Sequence, residues 1–517
     1  MSALQVRNGN WHSQAARQLR RAHLRSKQAA HLRPRLHKPG HQCPANKTCG
    51  ARNYNQLGLC VQQTVPMAVL LYANAFQKLQ RLQHASVPTI AWRETKLSMS
   101  NQRKRVVITG MGTINPLGLS MAASWQAIMR SASGIELISL FDTTAHTVKI
   151  AGEVKGFDAI ERYGKKDARH MDRFVQFALG AAQEAMLASG LKVDAGNADR
   201  IGALIGTGMG GISTVGAEAQ TLSARGAGRI SPFMVPMMLP DTAAGQIALH
   251  FGLRGPNLAV SAACASSTNA IGEAAEMIRR GAADVMLSGG AEAALTPLIM
   301  AGFANMGTLS TKSTDPHSAS RPFDKQRDGF VAAEGAAVLV LEDAAHATAR
   351  GAQILGEVLG YGLTNDAFHM TAPASDGASA ARCMQLALDN AGLLARDIDY
   401  LNAHGTSTIL NDNMETLAIK KVFGECAPNL AVSSTKSMHG HLLGAAGALE
   451  ACIAVQAILH AMLPPTINYE HPDAQCDLDV VPNKARAAPV RRAMSNSFGF
   501  GGHNACLILG AFANGRS

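Results

Sequence analysis

The chain has 517 residues, of which 47% are hydrophobic and 16% charged, as expected for a globular protein with one large core or two fused ones. Its net charge of +11 comes from residues 1–105, which hold 18 Lys and Arg side chains against one acid, Glu94. Residues 106–517 carry 30 basic and 36 acidic side chains, which argues against a nucleic-acid-binding body. The nine cysteines form no regular framework, which is typical of an intracellular protein with reduced thiols.

Residues 1–103 form a basic extension rich in Arg, His, Gln and Ala. This composition is typical of an organelle transit peptide, and the modest Ser content favours the mitochondrion over the plastid. The alternatives are a leader or a disordered tail ahead of a start at Met99, which would leave the protein in the cytoplasm. The apolar stretch 65–76 is too short to span a bilayer, and no longer apolar run follows, so we expect no membrane span.

From residue 104 onward, short apolar runs alternate with amphipathic segments. Val106–Gly112 is predicted to be a buried strand that runs into a glycine turn. The later predicted elements are strands over 201–205, 257–260, 285–288, 338–341, 354–358 and 400–403, and helices over 171–188, 265–280, 378–391 and 444–460. The pattern restarts after residue 350, which predicts two similar α/β halves, 104–352 and 353–517, with largely parallel sheets.

Cys264 lies between a predicted strand and a predicted Ala-rich helix, in the segment Ser261–Ser267. The backbone N–H groups and the dipole at a helix start favour an anion, so we expect a lowered pKa for this thiol. A thiolate is the nucleophile that covalent catalysis needs. On this segment alone, a buried inert cysteine is an equally good interpretation.

Three later segments favour the catalytic interpretation. Each combines glycines with chemically active side chains: Asn402–Thr408 contains His404, Ser433–Gly447 contains Lys436 and two histidines, and Asn496–Asn504 is a glycine-flanked aromatic loop. Each alone could be a structural histidine or a tight turn. Their combination, order and separation predict one catalytic site.

With Arg321–Phe330 and Pro464–Asn468, these segments resemble the β-ketoacyl-acyl-carrier-protein synthases of the I/II type, above all synthase II, over about residues 104–511. The resemblance implies a thiolase-like five-layer αβαβα sandwich of two duplicated halves, a homodimer, and no cofactor or metal. It implies that acyl carrier protein delivers an acyl group to a cysteine. A malonyl carrier then loses carbon dioxide and condenses with that group during fatty acid elongation.

The resemblance also assigns the catalytic roles. Cys264 is the acylated nucleophile, and His404 and His441 act in decarboxylation and condensation. Lys436 tunes their network. The backbone N–H groups of Cys264 and Phe500 form the oxyanion hole, and Phe500 gates entry to the site.

The remaining implied roles concern binding. The expected contacts are Thr406 and Thr408 for the phosphopantetheine arm, Met209 and Phe303 for the acyl pocket, and Lys166, Arg169 and Arg229 for carrier docking. A basic docking patch is expected because acyl carriers are acidic, like residues 106–517 themselves.

Three positions depart from the family pattern. His439 and His503 stand where threonine or another small residue is usual, and Ile409 replaces a common proline, so the pH profile or the pantetheine contacts could differ.

A polyketide-type ketosynthase shares every motif and is the alternative enzyme. A non-catalytic chain-length-factor-like partner fits less well because Cys264 is present.

Overall fold

The computed structural model describes residues 103–513. Apart from Arg103, the predicted extension 1–103 lies outside the described residues, together with Met99 and the cysteines of that region. The transit-peptide interpretation therefore stays a prediction.

The N-terminal half contributes the first seven strands, which are β1 Val106–Ile114, β2 Glu136–Leu137, β3 Ile150–Ala151, β4 Ile201–Gly206, β5 Asn257–Val260, β6 Val285–Glu292 and β7 Gly335–Asp343. Its helices are α1 Met121–Met129, α2 Ala159–Ala168, α3 Arg173–Ser189, α4 Ile212–Arg225, α5 Met234–Met238, α6 Thr242–Phe251, α7 Ser266–Arg279, α8 Pro297–Asn305 and α9 Ala344–Ala349.

The C-terminal half contributes the other strands, which are β8 Gly356–Asn365, β9 Tyr400–Asn402, β10 Ala431–Ser433, β11 Met462–Leu463, β12 Arg486–Ala487, β13 Arg492–Gly499 and β14 His503–Gly510. Its helices are α10 Ala378–Ala391, α11 Ile409–Phe423, α12 Lys436–His439 and α13 Ala446–His460.

The two halves repeat one sheet topology. The strand order is β5-β4-β6-β7-β1 in the first half and β10-β9-β13-β14-β8 in the second, and β1 pairs with β8 to join them into a ten-stranded sheet. When only the five strands that each half contributes to this sheet are numbered in chain order, both halves have the order third, second, fourth, fifth, first. The prediction of two duplicated halves is confirmed, whereas the boundary at residue 352 stays a prediction.

The sheets are mixed, not largely parallel as predicted from the alternation of strands and helices. In each half two of the four strand pairings are parallel and two are antiparallel. In the first half, β7 pairs antiparallel with β1 and with β6. In the second half, β14 pairs antiparallel with β8 and with β13.

Helices α7 and α13 form the central layer, because both pack against strands of both halves. Helices α3 and α6 cover the first sheet on its outer face, and α10 covers the second. This gives the predicted five-layer αβαβα sandwich. Within the described residues, Leu443–His460 is the one helical stretch long and apolar enough to cross a membrane, but 78% of it is buried inside the fold as part of this central layer.

The predicted turn at Gly110–Gly112 is wrong, because β1 continues through it to Ile114. A Cβ atom at Gly110 would lie 2.1 Å from the Ala185 carbonyl oxygen, and one at Gly112 would lie 2.1 Å from that of Ala181. These glycines therefore let α3 pack closely on the strand.

Candidate active site

Cys264 lies in the tight connection between β5 and α7. Ala263 adopts a left-handed backbone conformation (φ 48°), which is strained for a residue with a side chain. The Ser266 hydroxyl stabilises this bend, since it accepts a hydrogen bond from the Ala262 N–H (2.8 Å) and donates one to the Ala263 carbonyl (2.6 Å). The bend places the half-buried Cys264 beside the first turn of α7.

The predicted lowering of the Cys264 pKa is wrong. Burial raises the pKa of the thiol to about 12, although the Lys436 charge and a hydrogen bond from the Phe500 N–H act in the opposite direction. Loss of hydration therefore outweighs the favourable position at the helix start. At neutral pH the resting group is a thiol, which must give its proton to a neighbouring base when it attacks.

Phe500 lies in the turn between β13 and β14. Its backbone N–H lies near enough to the Cys264 thiol to oppose the rise in the pKa of that group. The preceding Gly499 approaches the nucleophile so closely that a Cβ atom there would lie 3.0 Å from the Cys264 nitrogen. The turn with Phe500 therefore lies against the connection that carries Cys264, and the oxyanion hole formed by their N–H groups stays a prediction.

His404 and His441 face each other across the site. Their ring centroids are 5.3 Å apart, and the rings are nearly perpendicular at 83°. The Glu415 carboxylate fixes the first histidine by accepting hydrogen bonds from the backbone N–H groups of His404 (2.8 Å) and Gly405 (2.7 Å). Both Nδ1 atoms are buried without a hydrogen-bond partner among the described residues, and both histidines line the cavity.

Both imidazoles are neutral at physiological pH. Burial, and secondly the positive charge of Lys436, lowers the pKa of His404 and of His441 well below the usual value of 6.5. A neutral imidazole can accept a proton at one nitrogen and donate a hydrogen bond from the other.

Lys436 does not line the cavity. It is fully buried in α12 and pairs with Glu450 of α13, whose own pKa burial raises to about 7. Its influence on His404, His441 and Cys264 is therefore electrostatic. The predicted tuning role agrees with this arrangement and stays a prediction.

One cavity of about 380 Å³ joins most of the predicted site residues, namely Cys264, His404, His441, Phe500, Thr406, Thr408, Met209 and Phe303. The two threonine hydroxyls lie 3.0 Å apart and form a polar part of the lining, called the polar end below. Met209 packs against the hydrophobic cluster of Phe303, Phe330 and Leu443, and this apolar part of the lining is called the apolar end. Such a cavity suits a substrate with a polar arm and a hydrocarbon chain.

Sequence reasoning missed several residues of this site. They are the aromatic walls Phe330 and Phe498 and the buried carboxylates Glu292, Glu415 and Glu450. A signal existed for two of the acids, because Glu292 and Glu450 each stand alone within an apolar run. Within residues 103–513, no group of three or more His, Cys, Asp or Glu side chains could hold a metal ion.

Comparison with known proteins identifies the family. The family model described as "Beta-ketoacyl synthase, N-terminal domain" matches residues 103–347, and the model described as "Beta-ketoacyl synthase, C-terminal domain" matches residues 355–470. The chain belongs to the β-ketoacyl synthase family. A 3-oxoacyl-[acyl-carrier-protein] synthase 2 of Staphylococcus aureus (strain COL) is 48% identical over 412 residues, which cover 80% of this chain and 99% of the relative. A Synechocystis sp. protein of the same name is 50% identical over 408 residues, covering 79% and 98%.

Solved structures of β-ketoacyl synthases share the fold. One from Burkholderia phymatum STM815 has a TM-score of 0.74 and 36% identity, and it covers 79% of this chain and 100% of its own. A type II polyketide acyl carrier protein in complex with its ketosynthase gives a TM-score of 0.72 and 35% identity, with coverage of 80% and 100%.

The three departures from the β-ketoacyl synthase pattern differ in their surroundings. His439 is fully buried, and its two ring nitrogens lie 3.0 Å from the Thr435 hydroxyl and 2.7 Å from the Gly440 carbonyl. Burial, more than the Lys436 charge, lowers its pKa to about 3. Ile409 lines the cavity, whereas His503 is partly exposed and packs beside Gly501.

The three predicted docking residues, Lys166, Arg169 and Arg229, are exposed and do not line the cavity. His170 follows the first two, and its ring stacks on Phe233 with centroids 3.8 Å apart. This contact brings the predicted docking segments together on the surface. Their role in docking stays a prediction.

Proposed function

We propose that this chain is a 3-oxoacyl-acyl-carrier-protein synthase of the synthase II type, which elongates acyl chains by decarboxylative Claisen condensation. One observation carries the proposal. Cys264, the neutral pair His404 and His441, and the Phe500 N–H surround one cavity that has a polar end and an apolar end.

The first half-reaction loads the enzyme. The Cys264 sulfur attacks the thioester carbonyl of an acyl carrier while a neutral imidazole accepts the thiol proton. The backbone N–H groups of Cys264 and Phe500 stabilise the tetrahedral oxyanion, and one such donor is typically worth about 3 kcal/mol. The carrier thiol leaves with a proton, and the acyl group remains on the sulfur.

The second half-reaction forms the carbon–carbon bond. A malonyl carrier loses carbon dioxide, and the electrons of the broken bond form an enolate whose oxygen accepts hydrogen bonds from His404 and His441. Because both imidazoles are neutral, they stabilise the enolate without being strong acids. The enolate carbon attacks the acyl-cysteine carbonyl, the carbon–sulfur bond breaks, and the Cys264 thiolate takes up a proton from solvent, because its first proton left with the carrier thiol.

The relatives favour fatty acid elongation over polyketide synthesis. The relatives named 3-oxoacyl-acyl-carrier-protein synthase 2 share 48–50% identity with this chain, against 35% for the polyketide ketosynthase complex. That complex supports an acyl carrier protein as the partner. The presence of Cys264 in the site argues against a non-catalytic chain-length-factor-like role.

An elongation assay tests the proposed function. The full chain and a version starting at Met99 should convert acyl carriers and malonyl carrier into 3-oxoacyl carriers, and a series of chain lengths gives the preference. Cys264→Ala should abolish condensation and leave decarboxylation of the malonyl carrier, since the histidines remain. Condensation by this variant, or none by the parent, would refute the proposal.

The proposal includes a homodimer formed through β5. Within the described residues, β5 pairs with β4 along one edge only, and Leu258 on it is 49% exposed. Pairing with β5 of a second copy would cover this strand edge. Sedimentation should show a dimer that Leu258→Glu weakens, and a monomeric parent would contradict it.

The proposal also includes a mitochondrial location, supported by the Arg-rich, acid-poor composition of residues 1–103. A reporter fused to these residues should reach the mitochondrion. A plastid location would favour the alternative organelle, and a cytosolic reporter would favour a leader or a start at Met99.

A further inference from the structure

Glu292 ends β6 as a fully buried carboxylate that lines the cavity. One of its oxygens accepts hydrogen bonds from the N–H groups of Gly208 (2.7 Å) and Gly444 (3.0 Å). The other accepts from the Met209 N–H (3.1 Å) and the Thr207 hydroxyl (3.1 Å). A single side chain thus holds four donors.

These donors come from both halves of the fold. Gly208 and Met209 follow β4 of the first half, whereas Gly444 precedes α13 of the second. Among residues 103–513, no Lys, Arg or His side chain forms an ion pair with Glu292, and burial raises the pKa of its carboxyl to about 7 while the four hydrogen bonds oppose that rise. The carboxylate therefore joins the two loops of the site by directional bonds.

The two glycines that Glu292 contacts leave no space for a side chain. A Cβ atom at Gly208 would lie 2.8 Å from the carboxylate oxygen Oε2. One at Gly444 would lie 2.5 Å from the same oxygen and 2.3 Å from the Gly208 nitrogen. The backbones of both glycines therefore lie in close contact with the carboxylate.

The joined loops carry two apolar walls of the cavity. Met209 directly follows Gly208, and Leu443 directly precedes Gly444. Leu443 belongs to the hydrophobic cluster that contains Phe303, and Met209 and Cys264 pack against this cluster. The distance between Met209 and Leu443 therefore depends on the hydrogen bonds of Glu292.

We propose that Glu292 is a positioning residue that determines acyl-chain specificity by fixing Met209 and Leu443 around the apolar end of the cavity. This inference rests on the proposed function, since it concerns the acyl group that Cys264 receives. A long acyl chain must pass these walls, whereas a short one ends near the sulfur. Disturbing Glu292 therefore affects long chains more than short ones.

Glu292→Gln tests this role, because glutamine keeps the size but replaces one acceptor oxygen with an NH2 donor. Acylation of Cys264 by a long acyl carrier should fall at least about tenfold relative to acylation by an acetyl carrier, as expected when a buried donor loses its acceptor. Decarboxylation of malonyl carrier should change much less. Glu292→Asp, which keeps both oxygens, should restore part of the long-chain activity.

Glu153→Gln is the matched control. Glu153 is also buried and accepts hydrogen bonds from the Ser139 N–H (2.8 Å), the Ser139 hydroxyl (2.6 Å) and the Leu140 N–H (3.0 Å), but it does not line the cavity. Its substitution should leave the ratio of long-chain to short-chain acylation unchanged. If both variants changed this ratio equally, the change would come from a general loss of rigidity and not from the contacts of Glu292, which would contradict the proposal.

A second measurement does not depend on carriers. Alkylation of Cys264 by N-alkyl iodoacetamides of increasing chain length reports access to the apolar end directly. Glu292→Gln should slow the long reagents relative to the short ones. An unchanged ratio in this measurement, or an equal loss at every length, would overturn the specificity role. A parent enzyme that is alkylated with length preference but elongates no acyl carrier would refute the proposed function alone.

Discussion

The buried Lys436 ammonium lies behind the reacting groups and acts on all of them through its charge. Its positive charge helps to lower the pKa of His404 and of His441 and opposes the rise in the pKa of Cys264. Glu450 is the partner of this buried lysine. The site thus combines neutral bases with a thiol that ionises only as it reacts.

The paired histidines give the first prediction at this scale. His404→Ala or His441→Ala should lower decarboxylation of malonyl carrier by about 100-fold or more, since each removes a hydrogen bond to the enolate oxygen. Cys264 should still be acylated, because the other imidazole can accept its proton. Carbon dioxide release and mass spectrometry of the acyl-enzyme measure the two steps separately. Parent-rate decarboxylation by both variants would remove the assigned role.

His439 gives a prediction on the pH dependence of stability. Its pKa is lowered to about 3 in the folded chain, so the unfolded chain binds more protons below pH about 6.5, and stability falls as the pH falls. His439→Thr should reduce the loss in unfolding free energy between about pH 7.5 and 5.5 by about 1.4 kcal/mol. Urea unfolding at both pH values measures it, with exposed His317→Thr as control. An unchanged pH dependence would contradict the assignment.

The sequence predicted most of the residues that the structure brings to one cavity, but it did not predict their electrostatics. Cys264 precedes a helix, and that local pattern predicted a lowered pKa. Burial reverses the sign, and the residues that surround Cys264, such as His404 and Phe500, come from segments distant in the chain. Likewise, Glu292 binds backbone N–H groups of loops more than 80 residues away on each side, which leave no local pattern.

At the scale of elements, the turn between β13 and β14 positions Phe500, whose N–H group belongs to the predicted oxyanion hole. Gly499 brings this turn against the connection that carries Cys264. A Cβ atom there would lie 2.8 Å from the Ala262 carbonyl oxygen and 3.0 Å from the Cys264 nitrogen. Since neither neighbour is a flexible side chain, the turn itself would have to move away.

Gly499→Ala should therefore slow acylation of Cys264 by about 100-fold, the usual effect of losing one oxyanion donor. Gly216→Ala in α4, where a Cβ atom would meet nothing within 4 Å, is the matched control and should act like the parent. Stopped-flow acylation kinetics measure both, and thermal unfolding shows whether the first variant remains folded. Equal rates for the two variants would show that the close approach has no catalytic consequence.

The elements themselves were largely predictable, because most strands are short apolar runs and the helices are amphipathic. Strand β5 and helix α10 have the predicted bounds. The alternation of strands and helices does not predict the relative direction of neighbouring strands. That direction depends on the last strand of each half, which lies beside the first strand of the half. The turn predicted at the glycines of β1 is wrong because the close packing of α3, and not a turn in the strand, requires glycine at these positions.

At the scale of the whole molecule, charge is distributed unevenly along the chain, with a basic segment over residues 1–105 and a net acidic remainder. Residues 106–517 hold more acids than bases, so an acidic carrier needs a local basic patch to bind. Lys166, Arg169 and Arg229 are exposed, and the stacked rings of His170 and Phe233 bring their segments together. This is the surface on which we expect the carrier to dock.

Lys166→Glu together with Arg169→Glu should raise the apparent KM for acyl carrier protein several-fold. Added salt should do the same to the parent, since exposed charges are screened over about 8 Å at physiological ionic strength. Turnover of a small acyl-pantetheine should barely change. The exposed pair Lys192→Glu and Arg396→Glu alters the net charge equally and serves as the control. An equal loss on both substrates would indicate damage to the fold, and an equal effect of both pairs would indicate a general effect of net charge; either result would place docking elsewhere.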